Sequence, residues 1–364
     1  MFNKLSIKNF RSIENLEIDD INRINIFVGE NNSGKTSILE ALFLLIGISN
    51  PRLNVTINNF RDLILTENND LCFNFRNLSM DNHIELIAYE NRSTFRKLII
   101  TPKISRKTTS TSNDQNISSL IDIEKEIINI NAETKSKEDI QGLNLDYSIS
   151  PGSKKYHAEL NIDEAKVNST IDNNYRESLL GHFYNNKTIY GSLPDKISEL
   201  LQKKKKDKLI NLLKIVDNKV EDIALSRSGM IFIDIGLNEM IPINIMGDGF
   251  KKVCAVIANL LVLDKGIFLI DEIENGLHSI TQELIWKSIL EISEKLKQQL
   301  FIATHSYETI KILLGVIQNN DLNENNIRVY AIHKNKEGKH SSYKYKYDNL
   351  KASIRANIDI RKEQ

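Results

Sequence analysis

Three observations in the sequence predict an α/β protein with a mixed sheet. Apolar strands are followed by helices of period 3.6 near both ends of the chain. A glycine-bearing loop, Gly29 to Thr36, joins the first such strand to the first such helix. A second strand, Phe268 to Ile270, ends in the two carboxylates Asp271 and Glu272.

Taken in order, Ile24, Ile26 and Val28 alternate as a strand does, and Leu39, Leu42 and Ile46 fall at helical spacing. Ile84, Leu86 and Ala88, then Arg96 to Thr101, read as antiparallel strands turning near Asn91 and Arg92. The stretch KTTSTSNDQN is polar and without periodicity, the pattern of a loop or disordered segment. Residues 174–216 read as helical, and the lysine run 203–206 reads as a solvated helix face, with a DNA contact as the alternative. Met230 to Ile235 reads as a strand and Gly249 to Leu263 as a helix. Gly266 to Ile270 and Leu300 to Ala303 are strands buried on both faces. Between them Ile285, Ile289, Ile292 and Leu296 share one helical face. Residues 326–364 read as a strand or hairpin and a short helix.

Composition excludes several classes. The 364 residues are 41% hydrophobic and 26% charged, ordinary for a globular protein with a sizeable core. Lys and Arg number 48 and Asp and Glu 48, so the basic excess of a dedicated nucleic-acid binder is missing. Contact with DNA is therefore not indicated by charge and would need a local patch or a partner. Cys72 and Cys254 lie far apart in apolar surroundings, against a disulfide scaffold or a zinc site. The opening MFNKLSIKNF is not a secretory signal, and the apolar run 41–48 is too short to cross a bilayer. A cytoplasmic protein is expected.

Gly29-Glu30-Asn31-Asn32-Ser33-Gly34-Lys35-Thr36 fits the phosphate-binding pattern G-x-x-x-x-G-K-[ST]. Its glycines let backbone N–H groups surround phosphate oxygens, and the helix it opens, with Ser37 in its first turn, favours negative charge. Lys35 is placed to neutralise the β- and γ-phosphates of ATP, and Thr36 to give its hydroxyl to Mg²⁺. Asp271 is the expected second Mg²⁺ residue, through water, and Glu272 the residue that orients or deprotonates the attacking water. His305, in Phe301-Ile-Ala-Thr-His-Ser306, ends another buried strand and could reach the γ-phosphate. The long separation of Thr36 from Asp271 points to an insertion between two lobes of one nucleotide-binding domain.

These motifs together resemble the ABC-type ATPases of the RecF, SMC and OLD group. The resemblance begins at Leu5-Ser-Ile-Lys-Asn-Phe-Arg11-Ser12, continues through the phosphate loop and Ile270-Asp-Glu-Ile-Glu-Asn-Gly-Leu-His278, and ends at Ala303-Thr-His-Ser306. It is nearest to the stand-alone AAA-type ATPases of the OLD-like branch. It implies a P-loop NTPase of ABC-head type: lobe I over residues 1–103, a helical and loop-rich insertion over 104–221, lobe II over 222–315 and a C-terminal extension over 316–364. It implies a homodimer holding ATP between subunits, each phosphate loop facing the partner's signature motif. Met246-Gly247-Asp248-Gly249-Phe250-Lys251 stands in that place and departs from Leu-Ser-Gly-Gly-Gln, with Gly247 at the serine position and Asp248 adding negative charge. The alternative for this segment is a glycine turn capping a helix. Arg11 looks like the group's first-strand arginine near the phosphates, with an exposed cation as the alternative. Glu274 to His278 looks like the loop along the dimer interface, and no glutamine-loop residue is identified. Residues 313–364 carry no Asp-x-Asp pair of a Toprim nuclease, so an effector or nuclease encoded separately is expected. The function implied is a dimerisation switch in defence against phage or mobile DNA. A RecF-like ATPase acting on DNA and an ATP-gated scaffold are the alternatives.

Overall fold

A computed structural model describes residues 1–362 except 92, 106–138, 151, 153, 186–187 and 320–322. The KTTSTSNDQN segment lies outside the described residues. In chain order the first strands are β1 (Lys4–Phe10), β2 (Ile13–Asp19), β3 (Ile24–Val28), β4 (Ile84–Tyr89), β5 (Phe95–Ser105), β6 (Asp139–Ile149), β7 (Lys155–Asp163) and β8 (Lys166–Thr170). They are followed by β9 (Gly181–Tyr184), β10 (Asp222–Leu225), β11 (Ile231–Asp234), β12 (Ile241–Pro242), β13 (Ile267–Asp271), β14 (Gln299–Thr304), β15 (Ile327–Lys334) and β16 (His340–Tyr345). The helices are α1 (Lys35–Ile46), α2 (Leu53–Asn59), α3 (Thr188–Gly191), α4 (Leu193–Gln202), α5 (Lys206–Val216), α6 (Asp248–Val262), α7 (Ser279–Leu296), α8 (Tyr307–Asn319) and α9 (Tyr347–Arg355).

Two sheets carry the molecule. One is antiparallel, in the order β2-β1-β4-β5-β6-β7-β8. The other is mixed, in the order β16-β15-β3-β14-β13-β9, with every pair parallel except β15 with β16. The central strands of the mixed sheet are buried on both faces because their side chains alternate between two cores. Ile26, Ile270 and Ile302 enter one core, with the helices α4 to α8. Phe27, Leu269 and Phe301 enter the other, with α1 and the antiparallel sheet. Phe27 and Phe301 stack across the strand pair at 6.2 Å. The helix that begins at the phosphate loop is thus sandwiched between the sheets, and ten of its twelve residues are buried.

Two expectations are corrected. Residues 139–170, read as part of a helical and loop-rich insertion, form β6, β7 and β8 and prolong the antiparallel sheet from β5. Tyr147 and Leu160 are buried on the alternating face of those strands, so pairing and packing against lobe I decide their form. Within 174–216, residues 181–184 are not helical but pair in parallel with β13. Gly181 allows this edge to close: a Cβ there would lie 2.7 Å from the Ile46 side chain and 3.0 Å from the Ile267 carbonyl oxygen. The helices of the insertion lie at 188–216.

The lysine run is not a free basic face. It spans the turn between α4 and α5, where Lys203 Nζ donates to the Val262 carbonyl at 3.2 Å and Lys205 Nζ to that of Leu261 at 2.8 Å. Both ammonium groups therefore sit at the carbonyl end of α6, where the helix dipole favours cations. Lys206 pairs with Asp222 at 2.6 Å. Among the described residues no helix is long and apolar enough to cross a membrane.

Candidate nucleotide site

Strand order assembles the site. β3, β14 and β13 lie side by side, parallel and in register, with Thr304 opposite Val28 and Asp271 opposite Ala303. Their C-terminal ends bring the phosphate loop, His305 and the Asp271-Glu272 pair to one edge of the sheet, where ligands of open α/β sheets bind.

The loop conformation depends on its glycines. Gly34 has φ +97°, a left-handed value favouring glycine, and caps the N-terminus of α1. At Gly29 a Cβ would stand 2.4 Å from the Ile332 carbonyl oxygen and 2.8 Å from Ser33 Oγ, so no side chain fits. Glu30, Asn31 and Asn32 are exposed, and Ser33 and Ser37 are buried. Lys35 Nζ turns back into the loop, donating to the carbonyls of Gly29 at 3.0 Å and Glu30 at 2.7 Å. Burial lowers its pKa, against the pull of Asp271, Glu272 and Glu274. A nearby phosphate would offer that cation a stronger partner.

Thr36 Oγ1 donates to Asp271 Oδ2 at 2.9 Å. Burial pushes the Asp271 carboxyl up to about 6, with the Thr36 hydrogen bond opposing and Glu272 and Glu40 adding to the rise. A part-buried carboxylate hydrogen-bonded to a hydroxyl of the phosphate loop fits Mg²⁺, which takes few protein oxygens and completes its shell with phosphate and water.

Glu272 follows with φ +53°, left-handed although not glycine. Its N–H donates to the Ala303 carbonyl at 3.0 Å, and Asn275 Nδ2 donates to its Oε2. The half-exposed Glu272 lines the same cavity as Asp271. His305 lies across from it, with Nδ1 at 3.7 Å from Glu272 Oε1 and 3.3 Å from Glu274 Oε1.

Several contributors escaped sequence reasoning. Glu274, only 7% exposed, anchors the loop that carries His305: its Oε1 accepts from Thr304 Oγ1 at 2.6 Å and from the His305 N–H at 3.1 Å. Lys252 on α6 donates to the Asn275 carbonyl at 2.6 Å, and burial pushes its pKa down to about 8 against Glu274 and Glu272. That contact ties the helix after the candidate signature to the loop that holds Glu272. Asn185 follows β9, level with Asp271, and lines a cavity of about 220 Å³ with Thr36, Arg61, Asp271 and Glu272. It stands where no glutamine-loop residue was identified, and only the pairing of β9 with β13 reveals it. Gln298 and Gln299 are buried far from the site, donating to backbone carbonyls of Leu260, Leu263, Phe2 and Asn22.

Arg11 is not an exposed cation. It lines a cavity of about 300 Å³ with Lys35, Thr36 and Arg61, yet its side chain is 7% exposed and its donors turn inward. They reach Glu40 Oε2 at 3.1 Å, Asn58 Oδ1 at 2.8 Å and the Phe73 and Ile57 carbonyls. Arg61 takes the other Glu40 oxygen at 2.7 Å and remains part exposed at the mouth of the same cavity. Gly247, Asp248 and Gly249 sit at the N-terminus of α6; the first two are exposed, and Gly247 has φ +86°.

Fold and site together define a phosphate-loop nucleotide-binding protein. Residues 1–310 match the family model described as "AAA ATPase domain", and the chain belongs to that family. It is 26% identical over 351 residues to the "ATP/GTP phosphatase" of Helicobacter pylori, covering 88% of this chain and 90% of the relative. A stretch of 62 residues is 42% identical to the "DNA replication and repair protein RecF" of Oenococcus oeni, but spans only 17% of this chain and 16% of that one. Among solved structures, the SMC head bound to the C-terminal winged-helix domain of ScpA aligns over 97% of this chain and 99% of that one, with TM-score 0.49 and 12% identity.

Proposed function

We propose that the chain binds and hydrolyses ATP with Mg²⁺, and that this cycle joins and releases two copies so as to switch a partner effector. The observation that carries the reading is the 2.9 Å contact between Thr36 Oγ1 and Asp271 Oδ2, which closes a gap of 235 residues beside Lys35. Lys35 and the loop N–H groups would bind the β- and γ-phosphates, and Arg61 would face them from the cavity wall. Thr36 and Asp271 would hold Mg²⁺, which neutralises charge on those phosphates when bound. Glu272 would orient the attacking water and accept its proton, and His305 would contact the γ-phosphate. The exposed turn at Gly247, Asp248 and Gly249 would face the partner's phosphate loop, offering a helix N-terminus to the γ-phosphate while Asp248 weakens that attraction. The name of the Helicobacter relative supports nucleotide hydrolysis. A role in defence against phage or mobile DNA, with a separately encoded nuclease or effector, rests on the resemblance to the OLD-like branch. RecF-like action on DNA draws on short matches to RecF proteins that span less than a fifth of the chain.

Phosphate release from ATP by the purified chain tests the enzymatic reading. Wild type should release phosphate in the presence of Mg²⁺, and Lys35→Ala should lose both nucleotide binding and turnover. Turnover that survives in Lys35→Ala would refute the assignment.

A further inference from the structure

The turn after α9 brings the C-terminal extension onto the loop that carries His305. Ile360 is fully buried in the helical core and fixes the turn in place. Beside it, Arg361 Nη1 donates to the His305 carbonyl oxygen at 3.1 Å. Its Nε and Nη2 donate to Asp359 Oδ1 at 2.8 Å and Oδ2 at 2.7 Å, a bidentate pair that sets the plane of the guanidinium. The Tyr307 ring lies 5.8 Å from its Cζ. The same guanidinium lines a cavity of about 230 Å³ with Glu30, Asn31, Asn32 and Ser33 of the phosphate loop.

Two charged groups therefore pin His305 through its backbone. The Glu274 carboxylate accepts from its N–H at 3.1 Å, and Arg361 donates to its C=O. A residue held at both its backbone N–H and its C=O has its Cα placed before any ligand arrives, which limits where its side chain can reach. The half-exposed Asp359–Arg361 pair contributes little to folding by itself, so its arrangement is better explained by what it holds.

We propose that Arg361 is a positioning residue for hydrolysis: it fixes the His305 peptide beside the phosphate loop. This rests on the ATP-hydrolysing reading above. Arg361 does not act on the reacting atoms itself; it acts through His305.

The test compares full-length wild type, Arg361→Ala, Arg361→Lys and Asp359→Asn. It measures the Kd for a fluorescent ATP analogue, kcat and KM for ATP, and hydrogen exchange of the peptide containing His305. Arg361→Ala should bind the analogue as wild type does and keep its KM. Its kcat should fall about tenfold, the scale expected for one charge-assisted hydrogen bond. Arg361→Lys should recover part of kcat, Asp359→Asn should lose less than Arg361→Ala, and amides around His305 should exchange faster in Arg361→Ala. Unchanged kcat, a loss confined to KM or Kd, or unchanged exchange at His305 would overturn the proposal. If Arg361→Ala fails to fold, the Lys and Asn variants decide: wild-type kcat in both also overturns it. Failure of the underlying reading shows separately, as wild type that releases no phosphate.

Discussion

Glu40 is the most demanding position in the phosphate-loop helix. It is fully buried, one turn after Thr36, and accepts from Arg11 Nε at 3.1 Å and from Arg61 Nε and Nη2 at 2.7 and 3.1 Å. The two arginines differ. Arg61 is part exposed, and Glu40 holds its pKa up despite burial. Arg11 is deeply buried, so burial lowers its pKa in spite of Glu40. Glu40→Ala would leave the Arg11 charge in the core with neutral acceptors only, those of Asn58, Phe73 and Ile57. Breaking a buried pair in this way destabilises by about 3–5 kcal/mol. Glu40→Gln, which keeps one acceptor, should lose about 1–2 kcal/mol. Pairing Glu40→Leu with Arg11→Met removes both charges and should recover most of the loss. Urea denaturation followed by circular dichroism measures all three at constant pH. A Glu40→Ala variant within about 1 kcal/mol of wild type would refute the reasoning, since surface pairs alone give that little.

Two further expectations follow from the site. The Asp271 carboxyl stands at about 6 because it is buried, so the nucleotide-free protein is destabilised as pH rises through that value and the charge forms. Asp271→Asn should therefore stabilise the nucleotide-free chain at pH 8, by up to about 2–3 kcal/mol, with no gain at pH 4. Thermal melts at the two pH values check this, and equal melting of wild type and variant at pH 8 counts against it. Gly29→Ala should fold yet bind a fluorescent ATP analogue at least about tenfold more weakly, because its Cβ meets the Ile332 carbonyl and Ser33 Oγ and the loop must shift. An unchanged Kd would show that the loop tolerates the shift.

The parts of the fold written in local pattern were legible in sequence. Alternation in Ile24 to Val28 identifies β3, although Asn25 is buried too, and the continuous run ending at Ile270 identifies β13, whose two faces are both buried. The phosphate loop and the Asp271-Glu272 pair are legible because their chemistry needs fixed residue types at fixed spacing. What was not legible depends on contacts between distant segments. β9 is four residues long and is a strand only because β13 pairs with it, so Asn185 could not be placed beside Asp271 beforehand. The strands at 139–170 continue a sheet whose preceding strand ends at Ser105, far back in the chain. Glu274 looked like one acid in an interface loop until Thr304 and His305 were found to donate to it. Arg11 carries no local sign that its partner is Glu40.

The central claim is that ATP draws two copies together and that Glu272 ends the liganded state by hydrolysis. Light scattering of Glu272→Gln with ATP and Mg²⁺ tests it most directly. With ATP the expected mass is twice the 41.7 kDa of one chain, reverting to the single-chain mass when ADP replaces it, with Lys35→Ala keeping one mass throughout. A Glu272→Gln protein that keeps one mass with either nucleotide, or that releases phosphate at the wild-type rate, would contradict it.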